Sequence, residues 1–271
     1  MSDLQIVVHA DDFGETVEIT SGIRTAIEAG AVTSTTIMAN MPGTIDALGQ
    51  VPALADRASF GVHLNLCEGR PLTNGPTLVD EKGRFHRKRA LFLRAATGRL
   101  SLAEVEAEVT AQMAIVRDAG VRISHLDGHK HLHQLPVVCE AVARVLPRFG
   151  VERVRLARLG SLTRARAPAT LVREMLSVPA GSAFRRAKLR SPRRIVDLQT
   201  LMSLPGSSGA ASLLREPGGP VEIFCHPGTA LADQEKPGSC ERYTELQYLL
   251  SARFRELIEA HNLRLITYWD V

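Results

Sequence analysis

The sequence predicts an α/β protein: a single-domain (β/α) barrel, or a distorted relative of one. Three observations carry this. Short apolar, β-branched runs alternate with amphipathic stretches along the chain. The first two runs are joined by a helical pattern between Leu4 and Met38, a β-α-β order that implies a parallel sheet. Polar residues collect at the ends of the runs, where the loops of such a barrel converge on one mouth. A doubly wound open sheet is the alternative architecture. The length of 271 residues and a hydrophobic content of 45% suit one domain spanning 1–271.

Leu4 to His9 reads as a buried parallel strand ending in Ala10-Asp11-Asp12-Phe13-Gly14. Val17 to Ile27 has mostly helical spacing, with Gly30 at the C-terminal cap. Ala31 to Met38 is a second strand, and a short helix follows at Thr44 to Leu48. Phe60 to Leu66 is a third strand carrying His63 among apolar neighbours, a setting that by itself suits a hydrogen-bonded core histidine. Leu72 to Phe85 is turn-rich and reads as a loop or hairpin over the site. Arg87 to Ala96 is helical. Ser101-Leu102-Ala103-Glu104 is a capping box that starts a helix running to about Ala119. Val121 to Leu126 is a strand, Pro136 to Val145 a helix, and Val151 to Leu156 a further strand. An Arg-rich insert at about 158–195 has a weak helical pattern. Ser203 to Gly219 reads as loop, Val221 to Cys225 as a buried strand, Thr244 to Ala260 as one helix and Arg264 to Tyr268 as a closing strand.

Several function classes are excluded. There is no Gly-x-Gly-x-x-Gly after a strand, no phosphate loop and no Gly-x-Ser-x-Gly elbow. Aromatic content of 4% argues against a base-stacking platform, and no nucleic-acid partner is expected. Cys67, Cys139, Cys225 and Cys240 form no Cys-x-x-Cys pair and are expected as reduced thiols. The start of the chain has neither a basic n-region nor an apolar h-region, so a cytoplasmic protein is expected.

The chemistry centres on His125-Leu126-Asp127-Gly128-His129-Lys130-His131-Leu132-His133, where a strand hands over to a helix. Asp11 and Asp12, His63, His129 and His226 come from four separate strand ends. Two imidazoles and a carboxylate form a common ligand set for a catalytic divalent metal, with positions left open for water and substrate. One acid of the pair can bind the metal while the other stays free as a base, and a histidine can protonate the leaving group. That is metal-assisted hydrolysis, most simply of an amide or ester. A non-catalytic sugar- or lipid-binding protein and a metal-dependent phosphoesterase are the competing readings.

Five motifs in order resemble the YdjC-like carbohydrate deacetylases: Ala10 to Gly14, Val32 to Thr36, Gly61 to Leu66, His125 to His133, and Cys225-His226-Pro227-Gly228. The resemblance covers nearly the whole chain and is weakest between about 158 and 215. It implies a deformed, often dimeric (β/α) barrel that removes the acetyl group from an N-acetylated amino sugar. It further implies one divalent ion, Mg²⁺ or Zn²⁺, held by Asp12, His63 and His129, with Asp11 as general base and His226 as general acid. His125, Asp127, His131 and His133 are implied as supporting or substrate-contact groups, and Arg242 as the residue that orients Asp11. The pattern from His125 to Gln134, with the Arg-rich insert, is most similar to the hopanoid-biosynthesis branch, whose acceptor is an N-acetylglucosaminyl lipid. Arginines interleaved with Leu171, Met175, Leu176, Phe184 and Leu189 could sit on an anionic membrane, each basic residue contributing about 1 kcal/mol. A solvated helical face is the competing reading of this segment.

Overall fold

The computed structural model describes residues 4–157, 168–204, 206–215, 218–229 and 239–271. Strands β1 (Leu4–Phe13), β2 (Ser34–Ile37), β3 (Ser59–Leu64), β4 (Ile123–Gly128), β5 (Arg194–Asp197), β6 (Val221–Cys225) and β7 (Leu263–Leu265) form one sheet. Its order is β4-β3-β2-β1-β6-β5, with β7 also paired to β1, and every pairing is parallel. The helices are α1 (Val17–Glu28), α2 (Thr44–Leu54), α3 (Lys88–Ala96), α4 (Leu102–Asp118), α5 (Pro136–Val145), α6 (Pro168–Arg186), α7 (Leu198–Met202), α8 (Gly206–Leu214), α9 (Ser239–Leu250) and α10 (Ala252–Ala260). None is long and apolar enough to cross a membrane, among the described residues.

The sheet curls into a deformed (β/α) barrel whose last seam is thin. Beyond β4 the pairing continues through single bridges, Leu126 to Val154 and Arg153 to Arg190. From Arg190 the chain runs into β5, which pairs with β6. Val151 to Leu156, expected as a strand, therefore forms only a short ladder, in which Glu152 and Arg153 carbonyls and Val154 and Arg155 N–H groups bond to Arg190 and Leu126. The main buried cluster draws on the apolar runs of β1, β3, β4 and β6 and on the inner faces of the helices.

Other expectations need correction. β5 lies at the end of the insert expected to be helical. Ile195 and Val196 are buried against β6, but this two-residue core is hidden among arginines. Within the expected loop from Ser203, α8 forms because Ala210, Ala211 and Leu214 are small or apolar enough to pack against α10. The helix expected over Thr244 to Ala260 is two helices, because Ser251 leaves the first and caps the second, its Oγ accepting the Phe254 N–H at 3.3 Å. The closing strand shrinks to β7, and Tyr268–Asp270 is a capped 3-10 turn. All four cysteines are free.

The capping box at α4 is open on one side. Ser101 Oγ accepts the Glu104 N–H at 3.4 Å, but the Glu104 carboxylate takes the N–H and hydroxyl of Thr77 instead, both at 2.7 Å. Thr77 Oγ1 in turn accepts the Ser101 N–H. The Leu72 to Phe85 segment is thus stapled to α4, and a Val79–Phe85 antiparallel bridge makes it the expected hairpin. One turn on, the buried Glu108 accepts the N–H groups of Leu72 and Thr73, the Thr73 hydroxyl and the Gln112 amide. Gln112 closes a two-way bond with the Asn65 backbone. An acid in the middle of α4 therefore fixes the loop leaving β3.

Glu108→Ala removes the acceptor of four hydrogen bonds, from Leu72, Thr73 and the buried Gln112, and is expected to cost roughly 3 kcal/mol. The measurement is urea unfolding, with a lower midpoint at an unchanged slope.

Candidate metal centre

The site is built at the carboxyl ends of β1, β3, β4 and β6. In an ordinary strand Asp11 and Asp12 would point to opposite faces. Here the pairing of β1 with β2 slips between Ala10 and Phe13, and Asp12 takes the left-handed conformation at φ +72°. A bulge of this kind re-aims a side chain. Both carboxylates thereby face the same cavity, of about 880 Å³.

His63 is placed by register. It is the Cα partner of Asp127 across the β3–β4 pair, so the two side chains share a face. Its Nδ1 donates to Asp127 Oδ1 at 2.7 Å, with the Thr36 hydroxyl 3.0 Å away, which turns Nε2 to within 3.1 Å of Asp12 Oδ1. His129 opens a 3-10 turn (His129–Gln134) in which Lys130 and His131 are both left-handed, at φ +55° and +58°. Its Nδ1 stands 2.9 Å from Asp12 Oδ1, and its Nε2 faces Glu68 Oε1 at 3.3 Å. Glu68 also pairs with Lys130. Ligand atoms of Asp12, His63 and His129 lie within 4.8 Å of one another.

The electrostatics suit a cation at this point. Burial opposes charge on His63, yet Asp127 and Asp12 hold its pKa well above the ordinary value. His129 is raised in the same way by Asp12 and Glu68, again against burial. Burial also opposes ionisation of Asp12, but hydrogen bonds from His129 and His63 hold its pKa well below the usual carboxylate range. The site therefore gathers positive charge around a carboxylate, and a divalent ion can replace bound protons at such a site. The second nitrogen of each histidine rests on a carboxylate, the arrangement that orients metal-binding imidazoles. Two neighbouring groups with comparable spacing are poorer fits. His9, Asp11 and Asp127 enclose ground already taken by the Arg155 guanidinium, and in Cys67, Glu68 and His129 the thiol is pushed up to about 11 by burial.

Arg155 is the principal residue that sequence reasoning missed. Fully buried, it grips Asp11 with both terminal nitrogens, NH1 to Oδ2 at 2.8 Å and NH2 to Oδ1 at 2.6 Å. The same guanidinium reaches Asp127 at 2.8 Å and Glu222 at 2.6 Å, and Glu222 accepts the Tyr268 hydroxyl at 2.5 Å. Burial raises the Asp11 pKa, but Arg155 outweighs it together with the other neighbours, and the net value falls to about 2. Asp11 is therefore ionised at neutral pH. The one available signal was an arginine inside the apolar pattern of Val151, Val154 and Leu156.

Arg242, expected beside Asp11, instead donates to Asp12 Oδ2 at 2.6 Å and Glu15 Oε2 at 3.0 Å. The reason is positional, since Arg155 already occupies Asp11. His226 lines the cavity with Nε2 3.7 Å from Asp11 Oδ2. His131 also lines it. His125 and His133 do not. His125 is fully buried and stacks on Tyr268 with ring centres 3.5 Å apart, and burial holds its pKa well below the ordinary value. His133 donates to the Arg155 carbonyl at 2.9 Å, and burial pushes its pKa down to about 4. Gly128 makes room for that ring, because a Cβ there would lie 2.8 Å from His133 Nδ1. These two histidines are buried behind the cavity wall and do not line it.

The Arg-rich insert falls partly outside the described residues, including 158–167 and the side chains of 168–174. In the described part Phe184 and Leu189 are buried core, Arg186 pairs with Glu140, and Arg190 pairs with Glu152.

The family model described as "YdjC-like protein" matches residues 5–260. A human protein named carbohydrate deacetylase is 35% identical over 83% of this chain and 75% of its own length. Its mouse counterpart of the same name is 33% identical over 99% of this chain and 95% of its own. A crystal structure titled as a putative cellobiose-phosphate cleavage protein from Enterococcus faecalis superposes with a TM-score of 0.77 at 25% identity, covering 98% of both chains.

Arg155→Met strands three buried carboxylates and is expected to cost about 3–5 kcal/mol of stability. Calorimetric or denaturant unfolding measures it. A loss under about 1 kcal/mol would mean that the cluster is not held together by this charge.

Proposed function

The chain belongs to the YdjC-like family, and we propose that it is a metal-dependent hydrolase that removes the acetyl group from an N-acetylated amino sugar. The observation that carries this is the convergence of Asp12, His63 and His129 beside a second, ionised carboxylate and a cavity-facing histidine. The relatives' name supports an acyl bond on a sugar as the target.

Asp12, His63 Nε2 and His129 Nδ1 would hold the ion. Two imidazoles and a carboxylate favour zinc or another transition ion over magnesium, which prefers oxygen ligands. Bound there, the ion supplies Lewis acidity to the acyl carbonyl and lowers the pKa of water, to about 7 for zinc. Asp11, ionised and fixed by Arg155, accepts the proton of the attacking water. Its low basicity makes the lowered water pKa a requirement. His226 donates a proton to the departing nitrogen. The water oxygen joins the acyl carbon, the C–N bond breaks, and acetate and a free amine leave.

The acceptor we favour is lipid-linked. Phe92, Leu132, Leu135, Leu176 and Phe224 give the cavity an apolar wall, where a second sugar ring would offer hydroxyls. On α3 and α6, the helices that carry Phe92 and Leu176, Leu93, Met175 and Val178 are 61%, 64% and 64% exposed. Arg87, Lys88 and Arg89 stand at the N-terminal end of α3, and Lys88 and Arg89 line the cavity with Phe92 and Leu176. We assign peripheral membrane contact to this rim. An N-acetylglucosamine oligosaccharide is the second reading, favoured by the cations Lys88, Arg89 and Lys130 and by His131 along the lining.

The parent chain is expected to bind one divalent ion, and His63→Ala or His129→Ala to lose it, as read by elemental analysis. Asp11→Asn should keep the ion and lose acetate release by at least about 100-fold; hydrolysis at the parent rate would remove Asp11 from the mechanism. Over a panel of acetylated oligomers, an N-acetylglucosaminyl lipid in anionic or neutral vesicles, and a phosphoester, the fastest release should be acetate from the lipid in anionic vesicles. Phosphate release would overturn the reaction class.

A further inference from the structure

We propose that Glu245 is the positioning residue for His226, and that α9 sets the separation between the metal carboxylate and the proton donor. This rests on the reading of His226 as the acid. Glu245 is 1% exposed, and a carboxylate is costly to bury unless its oxygens are satisfied. Oε2 accepts the backbone N–H of His226 at 2.5 Å, and Oε1 accepts the Gln199 amide at 2.9 Å. The buried acid is thus aimed at one peptide group, that of the histidine facing the cavity.

That peptide matters because the ring has little else to hold it. Among the described residues the His226 imidazole forms no hydrogen bond. Its neighbours are the edge of Phe224, with centroids 5.8 Å apart, and Asp11 Oδ2 at 3.7 Å. With one end of the side chain in the cavity, the ring goes where its backbone points it. The backbone is fastened twice more. Gly228 N–H donates to the Arg242 carbonyl at 3.2 Å, and Gly228 packs so tightly on Gly22 of α1 that a Cβ on Gly22 would stand 2.5 Å from its Cα.

Arg242 and Glu245 are three residues apart on α9, hence neighbours on one face. Arg242 grips Asp12, and Glu245 grips the His226 peptide. One rigid helix therefore carries the anchor of the metal ligand and the anchor of the acid. The titratable and charged groups that face Glu245 are His226, Asp197 and Arg242.

The test is a double-mutant cycle with His226. Glu245→Ala should lower kcat by roughly 30-fold, part of the 10²–10⁴ range of a general acid, with KM within about twofold and metal content unchanged. Glu245→Gln keeps an amide oxygen for the same N–H and should recover most of that loss. In a His226→Ala background Glu245→Ala should have no further effect, because there is no acid left to aim. Parent kcat in Glu245→Ala, or an equal loss in the His226→Ala background, overturns the proposal. The contact is also read without turnover, so that it is decided even if no acetate is released by the parent. The His226 amide should exchange at least about tenfold faster in Glu245→Ala than in the parent, and equally slow exchange in both overturns the proposal.

Discussion

Everything in the site leans on one buried cation. Removing a guanidinium and three carboxylates from water is unfavourable, and replacing one member alone leaves uncompensated charge. Asp11, Asp127 and Glu222 come from β1, β4 and β6, so Arg155 ties three strands across the barrel interior. It also sits between functions. On one side it holds the proposed base, and on another the acid that orients His63. A shift of this guanidinium would move both groups together.

The strands of the sheet were legible where their own residues are apolar enough to need burial. β1, β3 and β6 announce themselves as apolar runs and β4 by alternation from Val121 to Leu126, and Asp11, Asp12, His63, His129 and His226 stand at or just beyond their ends. β5 was hidden because only Ile195 and Val196 carry its burial. α8 was hidden because Gly and Ser read as loop while Ala210, Ala211 and Leu214 do the packing. The partners of the site, Arg155, Glu222, Glu68 and Glu245, were not legible for a different reason. A charged residue in a strand or helix looks like a solvent-facing one until its partner is known, and these partners lie 61 to 144 positions away for Arg155–Asp11, Arg155–Glu222 and His129–Glu68. Nothing local encodes that distance.

The backbone breaks its own rules at the same places. Asp12, Lys130 and His131 take left-handed conformations that non-glycine residues seldom adopt, and each lies on the cavity wall. Strain of this kind persists only where the surroundings over-determine it. For Asp12 they do, with Arg242, His63 and His129 all holding the carboxylate. For the 129–134 turn, His133 bonds to the Arg155 carbonyl and Gln134 accepts the Ala157 N–H, so the turn is pinned beyond its strained residues. Lys188 and Asn262 are left-handed as well but do not line the cavity, so it is the pinning by several partners that distinguishes the site.

The histidine cluster shows how environment divides a single residue type. Burial disfavours the charged imidazole at His63, His129, His125 and His133 alike. The outcome then turns on which neighbours face each ring. His63 and His129 have carboxylates at both nitrogens, which favour the charged imidazole. His125 has the Tyr268 ring and the Ser124 hydroxyl, and His133 has a carbonyl, so both are held neutral. A cation therefore has two imidazoles to displace protons from and a carboxylate between them, while the neutral pair can serve only packing and hydrogen bonding. Spacing along the chain could not separate these roles, because strand alternation and the left-handed turn send neighbouring histidines into different layers of the barrel.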